Sequence, residues 1–306
     1  MTFRYASFLL FWCMSTLLYA QTSGGPDNFG YSWASSHDIT TGTVANAGLY
    51  NWVDISTTGT LIPGMSDDNF VGPINLGFEF SFYWQKYNQV YIGSNGYLMF
   101  GRGVNIASES GGFPAIPSVG PASSPSNFIA AKLCDLTFVQ EDGSPVPGAE
   151  LRYEARTDSF IISFINTPFW TRENGPHYQG SNTFQIVLNR NGDTTLNYLA
   201  QSGTVDATYE APNTRFLVRG IENVVGNDGL SMGANSYPQA ATAIHFTYPS
   251  SPTTRSRMWL SAGCSPSKTM PCSSPIVAAT TPFVQLCKTR ATWTSPAPHP
   301  SPSPPW

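Results

Sequence analysis

The stretch Val71 to Gly101, VGPINLGFEFSFYWQKYNQVYIGSNGYLMFG, constrains this chain more than any other. Phe78, Phe80 and Phe82 alternate with Glu79, Ser81 and Tyr83, which is the period of a strand with one buried face. Val90 and Ile92 alternate with Tyr91 and Gly93, and Leu98 and Phe100 follow directly after Asn95-Gly96. Asn-Gly accepts positive φ at both central positions of a type I′ turn, so Gln89–Ser94 and Tyr97–Gly101 are predicted to form a hairpin.

The same signals recur along the chain. Asn51–Ser56 and Asn127–Leu133 are predicted as short extended segments, and Leu151–Ala155 with Phe160–Ile165 as a hairpin around Arg156-Thr157-Asp158. Thr183–Asn189 faces Thr194–Leu199 across Asn191-Gly192, a second hairpin with the same turn chemistry, and Arg215–Glu222 and Ala243–Tyr248 close the series. About a dozen short strands with turns rich in Gly, Pro and Asn predict an all-β fold, a single β-sandwich of lectin or jelly-roll type. No repeat of fixed period points to a propeller. Aromatics at 13% and charges at 11% fit an extracellular β-domain better than a helical protein.

Compartment and boundaries are read from the two ends. Arg4 precedes an apolar core, Phe8 to Leu18, too short to span a bilayer, and Leu18-Tyr19-Ala20 before Gln21 is an acceptable cleavage site. Residues 1–20 are therefore expected to be a signal peptide. Trp12 stands before Cys13, where lipoprotein processing wants a small residue, which argues against a lipid anchor. No other apolar run is long enough for a membrane helix, and the mature protein is expected to be secreted or held at the cell surface. Residues 21–249 hold nine Lys/Arg against all nineteen Asp/Glu, whereas residues 250–306 hold five basic residues and no acid. This break marks a boundary near Tyr248. The Pro/Ser/Thr-rich tail carries Cys264, Cys272 and Cys287 and is expected to be disordered. It reads either as a linker toward further domains or as a product of a shifted reading frame.

Ordered blocks carry a family resemblance. GPDNFGYSW (Gly25–Trp33), YNWVDISTTGT (Tyr50–Thr60), DDNFVGPINLGFEFSFY (Asp67–Tyr83) and VYIGSNGYLMF (Val90–Phe100) resemble a module of large proteins exported by gliding, type IX-secreting bacteria. SNFIAAKLCDL (Ser126–Leu136), NTFQIVLNRNGDTTLNY (Asn182–Tyr198) and VRGIENVVGNDGL (Val218–Leu230) continue in order and also resemble the nidogen-type extracellular domain. The resemblance spans nearly all of residues 25–248 and implies a non-catalytic extracellular β-module placed ahead of protease, adhesin or repeat regions. The family pattern has paired aspartates after a bulky aromatic, where this chain reads Lys132-Leu133-Cys134-Asp135-Leu136. A single Asp135 is a weaker ligand set for a hard cation. Asp67, Asp68 and Asp135 are thus the candidate metal ligands, for calcium, while the plainer expectation is that the adjacent acids cap backbone groups or face water and that no cofactor is held.

Catalytic motifs are not evident. HExxH and GxSxG do not occur, and Gly93-Ser94-Asn95-Gly96 only imitates the latter. His37 and His177 are placed in polar loops and His245 in a terminal strand opposite an apolar partner; Cys134 is read as a buried thiol. Glu150 and Glu154 share a strand face, but exposed charge explains them without a glycosidase pair. No enzyme activity is expected. An acidic domain without a basic stripe excludes nucleic acid as a partner. The aromatics near Trp33 and Trp52 are expected to pack over the ends of the sandwich. The loop Thr167–Gly180 is long for a β-protein, and Trp170, Arg172, His177 and Tyr178 within it are the candidate ligand-binding residues. The function expected is recognition or adhesion toward an extracellular glycan or surface protein. The alternative is an N-terminal accessory domain of an exported hydrolase, which a protease or glycosidase motif downstream would favour.

Overall fold

The structure is a computed structural model that describes residues 22–38, 47–107, 112–118, 125–172, 175 and 177–253. The expected signal peptide and C-terminal tail lie outside the described residues, apart from the tail's first four. The strands are β1 (Ser23–Gly24), β2 (Ser32–Ser35), β3 (Thr60–Leu61), β4 (Phe70–Phe82), β5 (Gln85–Gly93), β6 (Tyr97–Met99) and β7 (Phe128–Leu133). They continue with β8 (Glu150–Ala155), β9 (Ser159–Trp170), β10 (Tyr178–Asn189), β11 (Thr194–Ser202), β12 (Val218–Glu222), β13 (Gly229–Ala234) and β14 (Thr242–Thr247).

Two antiparallel sheets pack together, as the alternating pattern predicts. One has eight strands in the order β1-β2-β14-β11-β10-β9-β8-β3, the other six in the order β13-β12-β7-β6-β5-β4. Leu76, Phe78, Phe80 and Phe82 of β4 face inward while Gly77 and Glu79 face water. Phe82 meets Phe100 at 4.8 Å between ring centroids, and on the opposing sheet Phe164 stacks on Phe184 at 4.5 Å. A second aromatic group closes one end, where Phe29, Tyr31, Tyr83, Trp84 and Tyr248 meet at centroid distances of 4.9 to 5.5 Å. Tyr31 and Trp33 are core residues, consistent with packing over the sandwich.

Several local expectations change. Both Asn-Gly hairpins form, but only the glycine has positive φ, 78° at Gly96 and 95° at Gly192. Gly93 pairs with Tyr97, and Asn189 N donates to Asp193 O at 2.9 Å, so each turn is a three-residue loop with glycine in the left-handed position rather than type I′. Asn51–Ser56 is not a strand. Its backbone crosses the outer face of the eight-stranded sheet, with Val53 bonded in both directions to the Gln185 amide (3.4 and 2.8 Å) and Asn51 N donating to Asn197 Oδ1 (3.3 Å). Buried side-chain amides there replace a ladder. His37 is buried beside the Ser35 hydroxyl at 3.1 Å, not in a polar loop. His245 stands opposite Thr195 and Ala34, and its Nδ1 lies 2.9 Å from the Thr195 hydroxyl.

Candidate recognition site

The segment expected to be a long loop is mostly hairpin. Strand β9 runs through Trp170 and β10 starts at Tyr178, with Trp170 paired to Tyr178 and Thr171 N donating to His177 O at 3.1 Å. Positive φ at His177 (58°) and Gly180 (69°), and register shifts on either side of Asn182, accommodate a polar sequence that breaks alternation. Only residues 171–177 connect the two strands.

The four candidate residues separate here. Trp170 is half-buried and the exposed Arg172 lies over its ring at 5.8 Å. Tyr178 shares their hairpin end, whereas the His177 imidazole is 3.5 Å from the Glu141 carboxylate. Two residues that sequence reading missed complete the cluster. The Tyr209 ring is 6.4 Å from Trp170, and burial together with the Asp135 charge pushes its hydroxyl well above the usual range while Arg172 opposes the shift. Asp206 caps the short turn Ala207–Tyr209, accepting from Thr208 N (2.9 Å) and Arg172 N (2.6 Å). Burial opposes ionisation of Asp206, but the N–H of Arg172 and the donors of Thr208 hold its carboxyl below the usual range. The Asp-x-Thr spacing was the available signal for this cap.

The acidic candidates do come together. Carboxylate oxygens of Asp67, Asp68 and Asp135 lie within 4.8 Å of one another. Burial, with the charges of Asp67, Asp68 and Asp206, pushes the Asp135 carboxyl up to about 7 against a hydrogen bond from Tyr209. Burial and the Asp68 charge push Asp67 up to about 6, and its Oδ1 is a buried oxygen without a hydrogen-bond partner. Asn95 positions the group, donating to Asp68 Oδ1 at 2.8 Å and to Ile106 O at 2.9 Å while accepting from Leu136 N at 2.9 Å. Gly96 is required beside it, because a Cβ would lie 2.4 Å from Lys132 O. Three oxygens of this kind supply part of the six to eight that calcium takes.

Asp135 joins the two clusters. Its carbonyl accepts from Trp170 N at 3.1 Å, and its carboxyl feels both the acid pair and Tyr209. The acid trio and the Trp170–Arg172–Tyr209 group are therefore neighbours, linked through the buried Asp135. The other acid pair is separate: Glu150 binds Arg152 at 2.6 Å, and Glu154 binds Arg156 and the Thr58 hydroxyl, each at 2.6 Å. Cys134 is buried, which pushes its thiol up to about 12. Among the described residues no helix is long and apolar enough to cross a membrane.

No curated protein and no solved structure matches the chain. A sequence profile of the NIDO-related family matches residues 43–254, which takes in the six-stranded sheet, all of the eight-stranded sheet but β1 and β2, and every residue of the two clusters. The order of the sequence blocks, the two-sheet architecture and this match over more than half of the chain agree: the chain belongs to the NIDO-related family.

Proposed function

We propose that this chain is a non-catalytic extracellular recognition module, exported by a type IX-like route and acting at the cell surface or after secretion. Its partner is a glycan or a surface protein. The observation that carries the reading is the continuity through Asp135 of a half-buried aromatic pair, an exposed guanidinium and three clustered carboxylates. Trp170 and Tyr209 offer apolar ring faces for stacking on a sugar, while Arg172, Tyr178 and the carboxylates offer polar partners for hydroxyls. A hard cation on Asp67, Asp68 and Asp135 would relieve their mutual repulsion and satisfy the orphan Asp67 oxygen. Membership of a family of extracellular-type β-domains is consistent with a role without chemistry of its own.

The test is a glycan and extracellular-matrix array probed with residues 21–253, with and without calcium. Binding that Trp170→Ala weakens supports the reading. Silence on the array, together with turnover of a peptide or sugar that Glu150 or Glu154 variants abolish, overturns it.

A further inference from the structure

Lys132 sits where lysine is rarely found. It lies on β7, is 1% exposed, and points its amine between the sheets, 4.6 Å from the centroid of Phe169 and 6.0 Å from that of Tyr237. Among the described residues no carboxylate forms an ion pair with it. Its polar contacts are two side-chain amide oxygens, Asn182 Oδ1 at 2.5 Å and Gln201 Oε1. Burial lowers the amine to about 7, with Cys134 opposing the shift and the Arg219 guanidinium adding to it. An amine freed of its proton in an apolar cage is a nucleophile, and here it rests against a carbonyl.

We propose that Lys132 and Asn182 condense into an intramolecular isopeptide bond that ties the two sheets together. From the neutral amine, Nζ adds to Asn182 Cγ, and the Cγ–Nδ2 bond then breaks. Nitrogen Nδ2 leaves as ammonia, carrying its own two protons and one from Nζ, so no oxidant or co-reactant is needed. Asn182 is fully buried, and its Nδ2 donates to Thr167 O at 2.8 Å, which turns the leaving nitrogen away from the amine. Gln201 is partly open to water, so its amide competes less well for a desolvated nucleophile.

The bond would span from β7 of the six-stranded sheet to β10 of the eight-stranded one. Cys134 is a free thiol, so a Lys132–Asn182 link would supply the constraint on the unfolded chain that a disulfide gives other exported domains.

Mass spectrometry of the purified full chain tests it. The expected mass is one ammonia below that of the sequence after any signal cleavage, with a branched peptide joining the segments around Lys132 and Asn182. The branched peptide decides, because a succinimide at any of the three Asn-Gly sites, Asn95, Asn174 or Asn191, loses the same ammonia. Lys132→Met and Asn182→Ala should each restore the full mass, remove the branch and slow migration on a denaturing gel. An unmodified wild-type mass overturns the proposal, and so does a branch that survives Asn182→Ala and maps to Gln201.

Discussion

The turns at Asn95-Gly96 and Asn191-Gly192 share a dipeptide and a backbone geometry, yet they do opposite things. At the exposed turn, the Asn191 amide bonds only Asp193, two residues on, through Nδ2 (2.7 Å) and Oδ1 (3.1 Å). At the other, Asn95 is fully buried and bonds Asp68, Ile106 and Leu136, three separate stretches of chain. Local propensity selects the loop; what surrounds it decides whether the loop is a surface feature or the fixture of a site.

Breaking that contrast gives the largest expected effect. Asn95→Ala strips buried partners from Leu136 N and Ile106 O, each left without solvent, and should destabilise the domain by about 3 kcal/mol. Asn191→Ala, at the exposed turn, should stay within about 0.5 kcal/mol. Denaturant unfolding of the two variants beside the wild type measures both. Equal losses would mean that the buried network adds nothing beyond the turn.

How far the sequence carried follows the same division. Phe78, Phe80, Phe82 and the two hairpins were legible because alternation and turn chemistry are local signals. The Asn51–Ser56 segment was misread because its partners are the Gln185 and Asn197 side chains, more than a hundred residues away. Trp170 reads as loop in the sequence because the bulges around Asn182 disguise a strand. Asp67, Asp68 and Asp135 each carry the chemistry of a metal ligand in the sequence, but their meeting depends on Asn95, whose Asn-Gly signal gives no hint of burial. Tyr209 and Asp206 carry a capping pattern and nothing that marks a site.

A smaller effect sharpens what the buried turn holds together. Asp135 and Asp67 have folded values near 7 and 6, above the unfolded value of 3.8. The folded state therefore binds protons more tightly than the unfolded chain, so their contribution to stability grows as pH falls from about 7 toward 4 and is lost as pH rises through the folded values. Glu222, near 7, and Asp27, near 6, act in the same direction. Asp135→Asn should raise Tm at pH 7.5 relative to wild type and flatten the rise on acidification, both read in a thermal melt series. Calcium should raise the wild-type Tm at pH 7.5 and leave the variant unmoved if the trio takes the cation. A wild-type profile that the substitution does not change would separate these carboxylates from the pH response.

At the rim of the same site, Trp170→Ala removes one stacking face and should weaken ligand binding by roughly five- to tenfold, since such contacts are worth about 1 kcal/mol. Stability should change less than for Asn95→Ala, because Trp170 is only half-buried.

The smallest effect belongs to Glu154, the acid that most resembles half of a catalytic pair when read from sequence alone. Its carboxylate is held below the usual range by the Thr58 hydroxyl first and the Arg156 guanidinium second, which suits a permanently ionised surface group and not a proton donor. Partly exposed ion pairs of this kind contribute little, so Glu154→Ala should shift stability by no more than about 0.5 kcal/mol and leave ligand binding unchanged. Titration of the variant against whichever ligand the array identifies, beside Trp170→Ala, makes the comparison. If Glu154→Ala lowered affinity as much as Trp170→Ala, the binding surface would have to move from the Trp170 hairpin end to the β8 edge, where Thr58, Glu154 and Arg156 meet.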